Sequence, residues 1–216
     1  KKNEEILIPD INYIAAANSV IHCGGIPHFV DIDISNLGID VKKLDTYLKK
    51  ITIVKKNKLI NKKSKNVIKA IIPTHVFGNA CDIINLKKIS YKYKLFLIED
   101  SSESMGSFFK NKHLGTFGDI GVLSFNGNKI ITTGGGGAIL TSNLNLFKRC
   151  LHLSKISRVQ KKYWEFNYDE PGFNFRMPAL NAALGISQIS KLKNILNNKK
   201  KIYLEYKKYF SNIKSI

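Results

Sequence analysis

Short apolar runs alternate with longer amphipathic ones through the first half of the chain, and that alternation leaves few architectures open. Glu5 to Pro9, Pro27 to Ile32, Val67 to Ile72 and Leu95 to Glu99 read as strands. Between them Ile11 to Cys23, closed by Gly24-Gly25, reads as a helix. So does Asp40 to Lys50, where Asp40 caps a face of Val41, Leu44, Tyr47 and Leu48, and so does Asp82 to Lys94. Strands joined through helices return parallel, and a parallel sheet needs helices on both faces. Such sheets bind their ligands at the carboxyl ends of the strands. Ile53 to Asn66 is polar and lysine-rich and reads as a surface excursion.

The second half is more broken. Ser107 to Lys110 and Ile120 to Phe125 look like strands, and Gly134 to Gly137 is a turn into Ala138 to Thr141. Asn143 to Ser154 begins a helix, Pro171 to Pro178 is a loop, and Ala179 to Ile189 is a helix of small residues. Leu192 to Phe210 is long and amphipathic, with Leu192, Ile195, Leu196, Ile202, Tyr203, Tyr206 and Phe210 on one side.

Length and charge narrow the function classes. At 216 residues, 44% hydrophobic and 24% charged, the chain suits a soluble domain of good size. No apolar run approaches the roughly 20 residues that span a bilayer. The net charge of +19 raises nucleic acid as a partner. Against it, only Arg149, Arg158 and Arg176 among the 35 basic residues carry the guanidinium fork that reads bases and phosphates, and the lysines are scattered. A solvated lysine-rich surface accounts for the charge. Cys23, Cys81 and Cys150 form no CxxC pair and the histidines no HxxxH pair, so no zinc site is expected and a reducing cytoplasm is the simplest compartment. The chain opens Lys1-Lys2-Asn3 without methionine and ends at Ile216 within a helical pattern, so it reads as an internal fragment.

Three segments carry chemistry. In Leu97-Ile98-Glu99-Asp100-Ser101-Ser102-Glu103-Ser104 an apolar strand ends in two acids. Asp100 is either a site carboxylate at the strand end or a helix N-cap. In Val122-Leu123-Ser124-Phe125-Asn126-Gly127-Asn128-Lys129 a buried strand runs into a tight turn holding one lysine. Lys129 is either a desolvated amine nucleophile or one more surface lysine. Thr132-Thr133 followed by four glycines is neither GxGxxG nor a P-loop, and alone it reads as a mobile turn.

In order, strand–Asp100, Ser-Phe-x-x-x-Lys and Thr-Thr-Gly-Gly resemble the pyridoxal-phosphate-dependent nucleotide-sugar aminotransferases of the DegT/DnrJ group. The likeness extends over most of the chain. Ile8-Pro9 to Tyr13 with Ala17-Asn18, Ile26 to Asp33, Gly115-Thr116-Phe117-Gly118-Asp119-Ile120 and Gly172-Phe173-Asn174-Phe175-Arg176-Met177 are similar to family segments. The resemblance implies a three-layer α/β/α large domain of the aspartate aminotransferase-like, fold type I kind. That domain would run over residues 1–190 and be incomplete at its N-terminal end, with 191–216 the first helix of a truncated C-terminal domain.

The resemblance further implies pyridoxal 5'-phosphate held by Lys129 as a Schiff base, with the Asp100 carboxylate keeping the pyridine nitrogen protonated. Tyr13 would stack on the ring, Ser124 would reach the phosphate, and Asn174 would reach the phosphate of a neighbouring subunit, so a homodimer with a shared active site is implied. Freed Lys129 would move the proton between the α-carbon of glutamate and the cofactor. The implied activity is amino transfer from glutamate to a keto group of a UDP- or GDP-linked 4-keto-6-deoxy sugar, in bacterial surface polysaccharide or nonulosonate-type amino-sugar biosynthesis. No metal, nucleic acid or membrane enters. The chain departs from the group at Glu103, beside the cofactor's phenolic oxygen where glutamine or histidine is common, at Asn126 for histidine and at Ala16 for threonine. Rival readings are a sugar dehydratase of the same group, against which Lys129 speaks, and a basic nucleic-acid-binding protein.

Overall fold

The computed structural model describes residues 2–159, 164, 166–211 and 213. In chain order it comprises β1 (Glu5–Pro9), α1 (Ile14–His22), β2 (Ile26–Val30), α2 (Val41–Ile51), β3 (Thr52–Lys55), β4 (Lys58–Asn61), β5 (Val67–Ile71), α3 (Ile83–Tyr93) and β6 (Phe96–Asp100). There follow β7 (Phe108–Phe109), β8 (Lys112–His113), β9 (Ile120–Ser124), β10 (Gly137–Leu140), α4 (Leu144–Ser154), α5 (Ala179–Ser190) and α6 (Leu192–Phe210). These divide into two compact units, Lys1–Leu123 with Ala138–Arg176, and Ser124–Gly137 with Met177–Ile216.

The first unit is built on one sheet in the order β10-β9-β6-β5-β1-β2. The pairs β1/β2, β1/β5, β5/β6 and β6/β9 are parallel, as the strand–helix alternation requires. From β1 the chain moves outward to β2, then returns to place β5 on the other side of β1. That reversal puts a topological switch point between β1 and β5, where open α/β sheets form their crevices.

Sequence dictates the helices that cover the sheet. Asp40 caps α2 by accepting the Lys43 N–H at 3.0 Å, and Asp82 caps α3 by accepting the Asn85 N–H at 3.3 Å. Leu44 and Leu48 of α2 and Ile83, Leu86 and Ile89 of α3 share one core with Leu7, Ile71 and Leu97 of the sheet. Each side chain fully buried there contributes about 1.5–3 kcal/mol of transfer free energy. Ile8, which alternates to the other face from Leu7, and Ala17 and Val20 of α1 are buried outside that core, so helices lie on both faces.

Two expectations are revised. The segment 53–66 is not a mere excursion: β3 and β4 form an antiparallel hairpin, and β4 adds to the start of β5 through Leu59↔Ile68 and Ile60↔Val67. Lys56 and Asn57 turn it with φ of 48° and 62°, the left-handed pair a two-residue hairpin turn needs. Helix α1 begins at Ile14 rather than Ile11, because the Asn12 side chain donates to the Pro9 carbonyl and holds the chain in a turn first.

At the amino end of β1, Glu5 is buried and gathers the loop after β4. Its carboxylate accepts from the Asn61 amide at 2.9 Å, from the Ser64 hydroxyl, and from His28 at 2.8 Å. In the second unit α5 packs on α6. Ile216, where the last helical pattern was expected to run on, lies outside the described residues, and α6 ends at Phe210. Among the described residues no helix is long and apolar enough to cross a membrane.

Candidate active site

The carboxyl ends of β5 and β6 are joined beyond their ladder. The Asp100 N–H donates to the Pro73 carbonyl at 2.9 Å, and the His75 N–H donates to the Asp100 carbonyl at 3.0 Å. Asp100 is half-buried, and its Oδ1 accepts from the Ser102 N–H at 3.1 Å and the Ser102 hydroxyl at 2.6 Å. Residues 101–107 form turns, so Asp100 caps no helix, and the N-cap alternative falls away. Thr74, bridged to Asp100, has a buried hydroxyl with no hydrogen-bond partner among the described residues. An orphaned buried hydroxyl beside a carboxylate at a switch-point strand end suits a polar guest.

Tyr13 follows the carboxyl end of β1 as the N-cap residue of α1, with 78% of its surface exposed, so the ring is available for stacking. Glu103 is exposed, and its Oε2 accepts the Phe77 N–H at 2.9 Å. Phe77 has φ 53° and Gly78 φ 78°, and a Cβ on Gly78 would come within 2.8 Å of the Glu103 carbonyl. The departure at Glu103 is thus matched by a backbone donor in the left-handed turn that faces it.

The acid one residue earlier was not assigned from sequence, and it is held by four hydrogen bonds. Glu99 is fully buried. Its Oε1 accepts from the N–H groups of Phe117 and Gly118, both at 2.6 Å; its Oε2 accepts from Gly115 N–H at 2.9 Å and from His75 Nε2 at 3.0 Å. Burial alone would raise its pKa, but the bonds from His75, Gly118 and Gly115 outweigh it and hold the carboxyl below its ordinary value. His75 Nδ1 accepts the Cys81 N–H at 3.3 Å, so the imidazole proton sits on Nε2 and points at Glu99. His75 and Glu99 lie 24 positions apart, a separation no short motif shows.

Ser124, Asn126 and Lys129 share one turn of the second unit. The Asn126 N–H donates to Ser124 Oγ at 3.3 Å, and the Lys129 N–H donates to the Asn126 carbonyl at 3.1 Å. Lys129 is half-buried. The glycine-rich segment is tied back to this turn: Phe125 N–H donates to the Gly136 carbonyl at 2.9 Å and Thr133 N–H to the Phe125 carbonyl at 3.0 Å. Thr133 is buried, and its carbonyl accepts from the Asn181 side chain of α5. The segment therefore supports the lysine turn and is not a mobile connection. Asn174 lies exposed in the loop after residue 171, bridged to Lys155 in the first unit.

Taken unit by unit, the first offers a strand-end carboxylate and an exposed ring, Asp100 and Tyr13, and the second an amine and a hydroxyl on one turn, Lys129 and Ser124. His152, Asp169 and Glu170 do bring ligand atoms within 4.8 Å of one another. His152 already pairs with Asp169 at 2.8 Å, and Arg149 grips both oxygens of Glu170, so that group is an ion-pair cluster.

Residues 1–216 match the model of the DegT/DnrJ/EryC1/StrS aminotransferase family. A GDP-perosamine synthase of Escherichia coli O157:H7 is 34% identical over 213 residues, 98% of this chain and 53% of that protein. PseC of Helicobacter pylori, an aminotransferase involved in the biosynthesis of pseudoaminic acid, superposes with TM-score 0.85 at 26% identity, over 98% of this chain and 52% of that one. A GDP-4-keto-6-deoxymannose-3-dehydratase structure with bound GDP-perosamine superposes with TM-score 0.82 at 27% identity, over 98% and 55%. The chain spans about half the length of the curated relatives it matches.

Proposed function

The chain belongs to the DegT/DnrJ/EryC1/StrS aminotransferase family, and on that premise we propose that the full-length protein moves an amino group from glutamate to the keto group of a GDP- or UDP-linked 4-keto-6-deoxy sugar, using pyridoxal 5'-phosphate. The observation that carries the reading is Lys129, half-buried in a turn of the second unit braced by the glycine-rich segment; in the first unit Asp100 is a strand-end carboxylate that caps nothing. The relatives named for GDP-perosamine favour the GDP-linked sugar.

Bound pyridoxal phosphate supplies an electron sink, and this chain's residues would do the rest. The Lys129 amine would hold the cofactor and, once displaced by glutamate, take the proton from the glutamate α-carbon. The Asp100 carboxylate would keep the ring nitrogen protonated, and Ser102, with two donors on Oδ1, aims that carboxylate. Tyr13 would cover one face of the ring, Ser124 would donate to the phosphate, and Glu103 and Asn126 would line the ring's phenolic side. Asn174 would complete the neighbouring subunit's phosphate site in a cytoplasmic homodimer. Residues 1–190 would form the cofactor-binding domain and 191–216 open a second one.

The dehydratase likeness gives a second reading, which Lys129 disfavours because that chemistry dispenses with the covalent amine. Incubating the full-length protein with cofactor, glutamate and a GDP-4-keto-6-deoxy sugar separates the two. The reading expects an amino sugar and one 2-oxoglutarate per product. Loss of water from the sugar with no nitrogen transferred would overturn it in favour of the dehydratase.

A further inference from the structure

Glu99 is a buried, ionised group with no part in the proposed chemistry, one residue from the carboxylate that has a central part. We propose that Glu99 is the positioning residue for Asp100, acting through His75 and through the turn 115–118. The proposal rests on reading Asp100 as the partner of the cofactor's ring nitrogen.

Adjacent strand residues face opposite ways, so Glu99 points with Leu97 into the core while Asp100 points with Ile98 to the other face. Glu99 therefore clamps the end of β6 from behind. One arm is His75, whose ring donates to Glu99 and whose backbone N–H donates to the Asp100 carbonyl. The other arm is the turn, which gives Glu99 three backbone N–H groups and at Gly115 runs close beside Ser101, where an added Cβ would come within 2.9 Å of Ser101 Oγ. The peptide plane after Asp100 is thereby held through its carbonyl by His75, while the plane before it is held by the Pro73 carbonyl, which accepts the Asp100 N–H at 2.9 Å. A carboxylate that must meet one ring atom needs its geometry held to within about 0.5 Å, and supporting groups supply that.

The donor set makes the charge itself necessary. Four donors converge on the two oxygens, so a glutamine there must turn its amide nitrogen towards either His75 and Gly115 or Phe117 and Gly118. His75 cannot yield by changing tautomer, since its Nδ1 already accepts from Cys81.

The test uses full-length protein loaded with cofactor labelled at the ring nitrogen. Wild type, Glu99→Gln, His75→Gln and the core control Leu86→Ala are compared by NMR of that nitrogen, cofactor affinity and thermal unfolding. Expected are a ring-nitrogen signal moved towards the unprotonated form and cofactor binding about tenfold weaker in Glu99→Gln. A smaller shift of the same sign is expected in His75→Gln, and none in Leu86→Ala however much it is destabilised. If Glu99→Gln does not fold, His75→Gln carries the comparison. A protonated nitrogen and unchanged affinity in the variants would overturn the proposal and leave the functional reading standing. A wild type that takes up no cofactor would sink both.

Discussion

Gly121→Ala adds one methyl group to β9 and tests the architecture behind the strand-end carboxylates. A Cβ at Gly121 would lie 1.9 Å from the Gly115 carbonyl oxygen and 2.6 Å from its Cα, where real Cβ atoms essentially never come within 3.0 Å. Backbone sits on both sides, so no side chain can swing aside, and the turn 115–118 must retreat by about 1 Å. The N–H groups of Phe117 and Gly118 reach Glu99 at 2.6 Å, and that of Gly115 at 2.9 Å. A retreat of that size takes them beyond hydrogen-bonding range. Losing even one bond to a buried carboxylate costs about 1.5–3 kcal/mol, and strain adds to it, so we expect about 3 kcal/mol in all. With a urea dependence of about 2 kcal/mol per molar, the unfolding midpoint falls by about 1.5 M. Hydrogen exchange resolved to these amides should show Gly115, Phe117 and Gly118 losing protection first. A midpoint within about 0.3 M of wild type, with those three amides still protected, would refute the argument that the turn is clamped between β9 and Glu99.

Three further outcomes are expected. Glu5 and Glu99 both have carboxyl groups held below the ordinary 4.5, against the opposing effect of burial, by Ser64, Asn61 and His28 for Glu5 and by His75, Gly118 and Gly115 for Glu99. A depressed folded-state pKa gives stability that is present above 4.5 and lost as pH falls through the lower folded value, so stability should fall most steeply in the window between 4.5 and that lower value. Glu5→Gln should cost about 1–3 kcal/mol at neutral pH and flatten the acid slope; an unchanged slope would contradict the network drawn around Glu5. Mixing inactive full-length Lys129→Ala and Asn174→Ala subunits should restore part of the activity if Asn174 serves the partner's site, and no recovery under subunit exchange would remove the shared-site proposal.

The sequence made the parallel half of the fold legible because periodicity and caps agree there. Asp40 and Asp82 each cap a helix that buries leucine and isoleucine at helical spacing, and strands such as Glu5–Pro9 are near-continuous apolar runs. The hairpin at 52–61 escaped because Lys55, Lys56 and Lys58 interrupt its aliphatic residues: only Leu59 is a buried hydrophobe there, and Lys56-Asn57 is not the glycine-containing pair that marks such turns. Glu99 escaped for another reason. A buried glutamate beside an aspartate looks like one acidic patch, and its partners, His75 and the 115–118 turn, come from 16 to 24 positions away. Long-range polar satisfaction has no local signature, whereas a site residue at a strand end, such as Asp100, does.

The central claim is that one amine among the chain's many lysines carries the cofactor. Borohydride reduction of the cofactor-loaded full-length protein, followed by proteolysis and mass mapping, reads this directly. The account predicts a single phosphopyridoxyl-labelled peptide, the one containing Lys129, and none after Lys129→Ala. Label on any other lysine, or on none, would contradict it.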